Sequence, residues 1–337
     1  MPTATFWPGS RATSGNSRHA PAGTTAGRTR EALMAQSPVQ FQPWPEGPAT
    51  DPSTLAETLD GGQAFRWNRL ANGSFEGRWG RQVLHLRSHR GRLEYAAPGP
   101  DEANKAARAL AGYFALDRDF PALTDALPWR SDPILAKAIA AFPGLRILRQ
   151  PLGETLFCFL CSSTKQIIQI KAICEAVAAQ LGSPLPDGSR ALPDWSQLAE
   201  AGEAPLRRAK LGYRARYIYQ TACFLQSHPD YLEQIDASPT DLAREQLMAL
   251  PGVGRKIADC VLLFGAGRLE AFPIDTWVQK ILVRAYGLEG WRTEQLLDFS
   301  RLHFGPAAGL AQQYLFAAAR AGLIAQNRSA PEHIREL

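Results

Sequence analysis

The sequence predicts an α+β protein: a small N-terminal antiparallel β-sheet domain packed on a large all-helical, two-lobed body containing a helix-hairpin-helix. Three observations lead there. Residues 64–79 alternate about Asn72-Gly73, the strongest short hairpin signal. From about residue 101 onward, helix-forming segments follow one another with short breaks. Leu250-Pro251-Gly252-Val253-Gly254-Arg255-Lys256 reads as a tight turn between two helices. A length of 337 residues is ample for two or three domains with sizeable cores.

Taken in order, residues 1–45 are rich in Gly, Ser, Thr, Ala, Pro and Arg, with Glu31 the only acid before Glu46. This composition cannot build a core and predicts a disordered basic tail. A start at Met34, or a transit peptide, matches the same composition. From about 55 to 97 the pattern is β: strands at 64–70 and 74–79, then 83–88 and 92–95 around Arg90-Gly91. Helices are predicted at 102–115, 132–142, 151–162, 165–181, 206–227, 240–249, 255–266, 276–286, 293–302 and 306–323, with 182–195 a Gly/Pro/Asp-rich loop. No internal repeat appears. The expected organisation is a tail (1–45), a β domain with flanking helices (46–130), a helical domain (131–325) and a C-terminal tail (326–337).

The hairpin carries the first chemical signal. Residues 241–249 are good helix formers, Thr240 or Ser238 suits the start, and Pro251 and Gly252 stop the helix. Gly252 and Gly254 are both expected to allow positive φ and to leave backbone N–H groups bare. Bare donors at a helix N-terminus attract anions such as DNA phosphate, so Gly252, Val253 and Gly254 are expected to grip the backbone. Lys256 and Cys260, four apart, share one helical face. Arg255 and Asp259 are expected to pair on a more exposed face. Asp275, nineteen residues after Lys256, suits the N-cap of 276–286 and also supplies a carboxylate near the lysine.

Composition sets the outer limits. No run of 18 apolar residues suggests a membrane span. The net charge of +5 and pI near 9.0 are compatible with a nucleic-acid partner. Five scattered cysteines predict free thiols in a reducing, intracellular compartment. Cys158 and Cys161 lie in an apolar helical run and read as core packing, because no second pair completes a zinc or iron–sulfur site.

Several separated blocks then resemble one family. They are Gly62-Gln63-Ala64-Phe65-Arg66-Trp67, Tyr113-Phe114 with Leu116-Asp117, Leu148-Arg149-Gln150, Leu160-Cys161-Ser162-Ser163, Leu211-Gly212-Tyr213-Arg214-Ala215-Arg216-Tyr217, the hairpin through Asp259-Cys260, Pro273-Ile274-Asp275, and Phe304-Gly305-Pro306 through Gln312 and Phe316. Over roughly residues 50–325 the chain resembles the helix-hairpin-helix DNA glycosylases, in the 8-oxoguanine DNA glycosylase/AP lyase branch. The resemblance implies a bifunctional base-excision repair enzyme acting on damaged double-stranded DNA. It implies Lys256 as the nucleophile, which must attack as an uncharged amine, and Asp275 as the carboxylate that stabilises the cationic sugar and orients Lys256. The flipped base is implied to lie between Phe316 and Cys260, with Gln312 on its pairing edge and the Gly62 carbonyl accepting the N7–H that only 8-oxoguanine carries. Tyr213 is implied as the wedge, and Arg214 as a reader of the opposite cytosine. No redox cofactor or catalytic metal is expected, nor a membrane, and the enzyme is expected to be a monomer.

The chain departs from the resembled pattern in four places. Thr164-Lys165-Gln166 stands where the best-known eukaryotic member has an asparagine run, Gln169 where that member has an arginine, Trp277 for a phosphate-contacting histidine of the family pattern, and Ala319 for an acid near the pocket. Thr164, Gln169 and Trp277 are still expected on the DNA face, with a weaker preference for cytosine opposite the lesion. Two other functions share the hairpin: a monofunctional alkylpurine glycosylase, which needs the aspartate without the lysine, and a non-catalytic DNA-binding module, which needs neither Gln312 nor Phe316.

Overall fold

A computed structural model describes residues 40–98 and 100–324. The predicted C-terminal tail at 326–337 and residues 1–39 of the predicted N-terminal tail lie outside the described residues. The tail boundary at 45 needs correcting, because β1 (Gln42–Pro43) already pairs in the sheet and Trp44 is buried. After it come α1 (Pro52–Asp60), β2 (Trp67–Arg69), β3 (Phe75–Trp79), β4 (Gln82–His89) and β5 (Arg92–Ala96). The five strands form one antiparallel sheet in the order β1-β5-β4-β3-β2.

Both predicted hairpins form. Gly73 takes φ +83°, and the Asn72 side chain accepts from the Ser74 N–H at 3.0 Å. Arg90 and Gly91 both take positive φ, as a two-residue turn matching the strand twist requires. The prediction of β pattern from residue 55 fails at α1. Asp51 caps this helix by accepting from the Ser53 and Thr54 N–H groups at 2.8 Å each, and Pro52 suits its first turn. Leu55 and Leu59, one turn apart, are buried under the sheet beside Trp67, Phe75, Leu84, Leu86 and Leu93.

The helical body runs α2 (Pro100–Tyr113), α3 (Phe120–Asp125), a short 3-10 turn (Pro128–Arg130), α4 (Pro133–Ala141), α5 (Leu152–Leu160), α6 (Ile167–Leu181), α7 (Trp195–Ala201), α8 (Glu203–Arg208), α9 (Arg214–Ser227), α10 (Tyr231–Ala237), α11 (Thr240–Met248), α12 (Arg255–Phe264), α13 (Thr276–Tyr286), α14 (Thr293–Phe304), a second 3-10 turn (Gly305–Ala307) and α15 (Ala308–Arg320). The single helix predicted over 206–227 is instead α8 and α9. Lys210 and Gly212 take φ of +63° and +61°, which no α-helix accommodates. Helices α3, α7 and α10 were absent from the sequence expectation, each being only six or seven residues long.

Helix α12 lies at the centre of the body. All eight residues from Ile257 to Phe264 are buried, and the helix packs on α5 and α11. The predicted Arg255–Asp259 pair forms, with Arg255 on its exposed side. Asp259 is buried and bridges Arg255 Nε at 3.0 Å and Arg244 Nε of α11 at 2.7 Å, clamping the hairpin from behind. Cys158, Cys161 and Cys174 are buried free thiols in the same core, with the Cys158 and Cys174 sulfurs 3.7 Å apart. Gln63, fully buried, joins sheet and body: it donates to Arg146 O at 2.8 Å and accepts from Leu148 N at 2.9 Å. Among the described residues no helix is long and apolar enough to cross a membrane.

Candidate active site

The hairpin is built from one strained glycine rather than two. Gly252 takes φ +78°, and a Cβ there would lie 2.7 Å from the Tyr217 side chain, so both conformation and space demand glycine. Gly254 is extended (φ −92°, ψ 176°), which corrects the expectation of a second positive φ. It is the N-cap of α12, and no side chain caps the helix. The first-turn N–H groups are therefore left for an anion. Val253 is buried and its N–H donates to Leu250 O at 3.1 Å, so neither its side chain nor its N–H faces outward.

Lys256, in the first turn of α12, points into a cleft of about 1350 Å³. Gly62, Phe159, Ser162, Cys260, Asp275, Gln312 and Phe316 also line it. The Lys256 Nζ donates to Ser162 Oγ at 3.2 Å and sits 5.2 Å from the centre of the Phe159 ring. Asp275 caps α13: its Oδ1 accepts from Trp277 N at 2.9 Å and Val278 N at 2.8 Å. Its second oxygen makes no hydrogen bond to the described residues. The amine is thus seated by Ser162 and Phe159, not by Asp275 as expected. Neither Ser162 nor Phe159 was given a role from sequence, although Ser162 lies in one of the quoted blocks.

The base-binding candidates line the same cleft. Cys260 is buried one turn below Lys256, and burial pushes its thiol up to about 12 against the opposing pull of Lys256, so it stays neutral. Gly62 takes φ +102°. A Cβ there would lie 3.1 Å from Ile167 and 3.5 Å from Phe316, so glycine lets the backbone press against the aromatic wall. Phe316 lies 5.9 Å from the Arg320 guanidinium, which Glu57 holds at 2.8 Å. Gln312 is buried, and its Oε1 has no hydrogen-bond partner. A buried acceptor left unpaired is costly, and it fits a surface built to meet a ligand donor.

The remaining expected DNA-face residues are placed unequally. Tyr213 and Trp277 are exposed, with Trp277 on the cleft rim and Lys280 6.0 Å from its ring. Thr164 lines the cleft in a left-handed conformation, φ +55°. Gln169 is exposed, but its side chain accepts from Gln166 N at 3.1 Å and caps α6 instead of lining the cleft. Arg214 is buried, with its donors turned onto Leu211, Ser163 and Thr164.

Known proteins resemble this chain in sequence and fold. Residues 49–156 match the N-terminal domain of 8-oxoguanine DNA glycosylase, and residues 231–264 match the helix-hairpin-helix motif. A Saccharomyces cerevisiae N-glycosylase/DNA lyase is 34% identical over 258 residues, covering 69% of this chain and 68% of the yeast protein. The chain belongs to the 8-oxoguanine DNA glycosylase/lyase family. An Arabidopsis thaliana N-glycosylase/DNA lyase is a further relative of this glycosylase, 30% identical over 79% of the chain and 77% of the plant protein. The Clostridium acetobutylicum 8-oxoguanine glycosylase/lyase, solved with double-stranded DNA containing cytosine opposite 8-oxoguanine, superposes on the glycosylase with a TM-score of 0.75. It is 29% identical over 84% of this chain and 98% of the clostridial one.

Proposed function

We infer that this chain is a bifunctional DNA glycosylase/AP lyase that excises 8-oxoguanine from double-stranded DNA and then cuts the strand. One observation carries the reading: a single cleft brings together the Lys256 amine, the carboxylate of Asp275 with one oxygen unbonded, the Gln312 side chain and the Phe316 ring. An alkylpurine glycosylase would need no amine there, and a passive binding module would need no base pocket.

The target nucleotide leaves the stack, because its reacting atoms are out of reach inside a duplex. The bare N-terminus of α12 seats backbone phosphate. Phe316 offers a stacking face, which is worth about 1–3 kcal/mol per base. Gln312 Oε1 accepts from the pairing edge, and Gly62 presents backbone to the modified imidazole edge. Lys256, once it has given up its proton, attacks the anomeric carbon with its nitrogen lone pair. The glycosidic bond breaks and its electrons leave with the base. Asp275 Oδ2 faces the positive charge that develops on the sugar. Ring opening leaves an iminium between Lys256 and the sugar. Loss of a C2′ proton then expels the 3′ phosphate by β-elimination, and hydrolysis frees the amine. The enzyme acts as a monomer and needs no redox cofactor.

Cleavage of short duplexes carrying 8-oxoguanine opposite each of the four bases, with Lys256→Gln as control, tests the reading. Strand scission that depends on the lesion and on Lys256 is expected. Cleavage of 3-methyladenine DNA with no action on 8-oxoguanine would overturn it.

A further inference from the structure

Arg214, the first residue of α9, is buried yet faces no carboxylate among the described residues. Its Nη1 donates to Leu211 O at 3.2 Å, and its Nη2 donates to Thr164 Oγ1 at 2.7 Å and to Ser163 O. Its Nε is buried with no partner at all. A desolvated guanidinium held by neutral oxygens, with one donor unpaired, is poorly compensated. The backbone on both sides is unusual. Thr164 is at φ +55°, an outlier for a β-branched residue, and Lys210, four residues before Arg214, is at +63°. Strained backbone that the surroundings hold in place marks a segment with a second state.

Two further contacts give the segment consequence. The Arg214 guanidinium lies 4.5 Å from the centre of the Tyr213 ring, and Tyr213 is 55% exposed. Ser162, two residues before Thr164, is the acceptor of the Lys256 amine. Residues 162–164 therefore touch the nucleophile at one end and the Tyr213–Arg214 face at the other.

We propose that Thr164 is a latch that holds Arg214 inside the DNA-free protein, so that Arg214 meets the strand opposite the lesion only after this hydrogen bond breaks. The proposal rests on the reading of Tyr213 and Arg214 as the opposite-strand face. An opposite base with two adjacent acceptors on its pairing edge, as cytosine has in N3 and O2, compensates for the broken contact through a bidentate pair, whereas one with a single acceptor there, as adenine has in N1, leaves Arg214 latched. Thr164 is thus a positioning residue: its hydroxyl sets how strongly the opposite base is felt, and it narrows the difference between partners.

The test compares single-turnover excision of 8-oxoguanine opposite C and opposite A in the full chain, read as a ratio. Thr164→Val keeps the branched shape and removes the hydroxyl, and it is expected to raise the C-to-A ratio by about tenfold, the worth of one hydrogen bond to a charged group. Thr164→Ser, which restores a hydroxyl, is expected to return the wild-type ratio, and thermal unfolding confirms that each variant is folded. Arg214→Ala is expected to collapse the ratio toward unity in either background. An unchanged ratio in folded Thr164→Val, with Arg214→Ala still lowering it, overturns the latch and leaves the opposite-strand reading intact. A ratio insensitive to Arg214→Ala overturns that reading and the latch with it.

Discussion

The Lys256 amine donates to the Ser162 hydroxyl across 3.2 Å, while Asp275 commits one oxygen to the N-terminus of its own helix and makes no hydrogen bond to the lysine. The nucleophile and the carboxylate are therefore positioned by separate elements, α5 with its following turn and α13. Both side chains line the same cleft.

Ser162→Ala removes the acceptor that seats the amine. Small losses of alignment at a nucleophile cost roughly tenfold to a hundredfold in rate. Single-turnover excision should fall within that range while duplex affinity, measured by fluorescence anisotropy, holds. Equal excision rates in Ser162→Ala and wild type would show that this contact has no part in the reaction.

Asp275 has a structural and a chemical duty that two substitutions separate. Asp275→Ala loses both cap bonds and should cost about 1–2 kcal/mol of stability as well as activity. Asp275→Asn keeps a capping oxygen, so its Tm should stay near wild type. Loss of the charge should still slow excision by about a hundredfold or more. A Tm drop in Asp275→Asn matching that of Asp275→Ala would refute the separation.

The unpaired Gln312 Oε1 predicts a trade between stability and function. Gln312→Leu removes a buried acceptor with no partner and should stabilise the DNA-free protein by about 1 kcal/mol. It should also weaken binding of 8-oxoguanine duplex, since the base then meets no acceptor. Chemical denaturation and binding assays on the same preparation read both effects, and destabilisation by the leucine would contradict the account.

Much of this site was legible in the sequence, and the exceptions have physical causes. Lys256, Cys260 and Asp275 are local to one hairpin and its neighbour, so helical spacing already placed the first two on one face. Gly62, Gln312 and Phe316 stood in recognisable blocks. The seat of the lysine was not legible, because Ser162 lies 94 residues earlier and only folding brings it there. Nor was the inward turn of Arg214, which depends on the side-chain path at the start of α9. Helix α1 was hidden by the strand pattern that follows it, although Asp51-Pro52 is a capping signature. The break before α9 was missed because apolar periodicity resumes on the far side of Gly212.

Stability should fall with rising pH through one partly buried acid. Glu154 in α5 accepts from Gly80 N at 2.8 Å, and burial raises its carboxyl to about 7, against the pull of that N–H and of Arg66. The folded chain therefore holds a proton that the unfolded chain, with an ordinary value of 4.5, has already lost. The proton-linked stability is full below about 4.5 and is lost as pH rises through about 7. Glu154→Gln should flatten this decline and gain about 2–3 kcal/mol over wild type at pH 8. Parallel Tm-against-pH curves for the two proteins would refute the assignment.

The central claim is that Lys256 forms a covalent bond to the sugar of the excised base, and borohydride trapping tests it most directly. Incubation with a duplex containing 8-oxoguanine and borohydride should give a stable protein–DNA adduct that peptide mapping places on Lys256. Lys256→Gln, still folded and still binding the duplex, should give none. An adduct of undiminished yield in Lys256→Gln, or base release by wild type with no adduct under any trapping condition, would contradict the account.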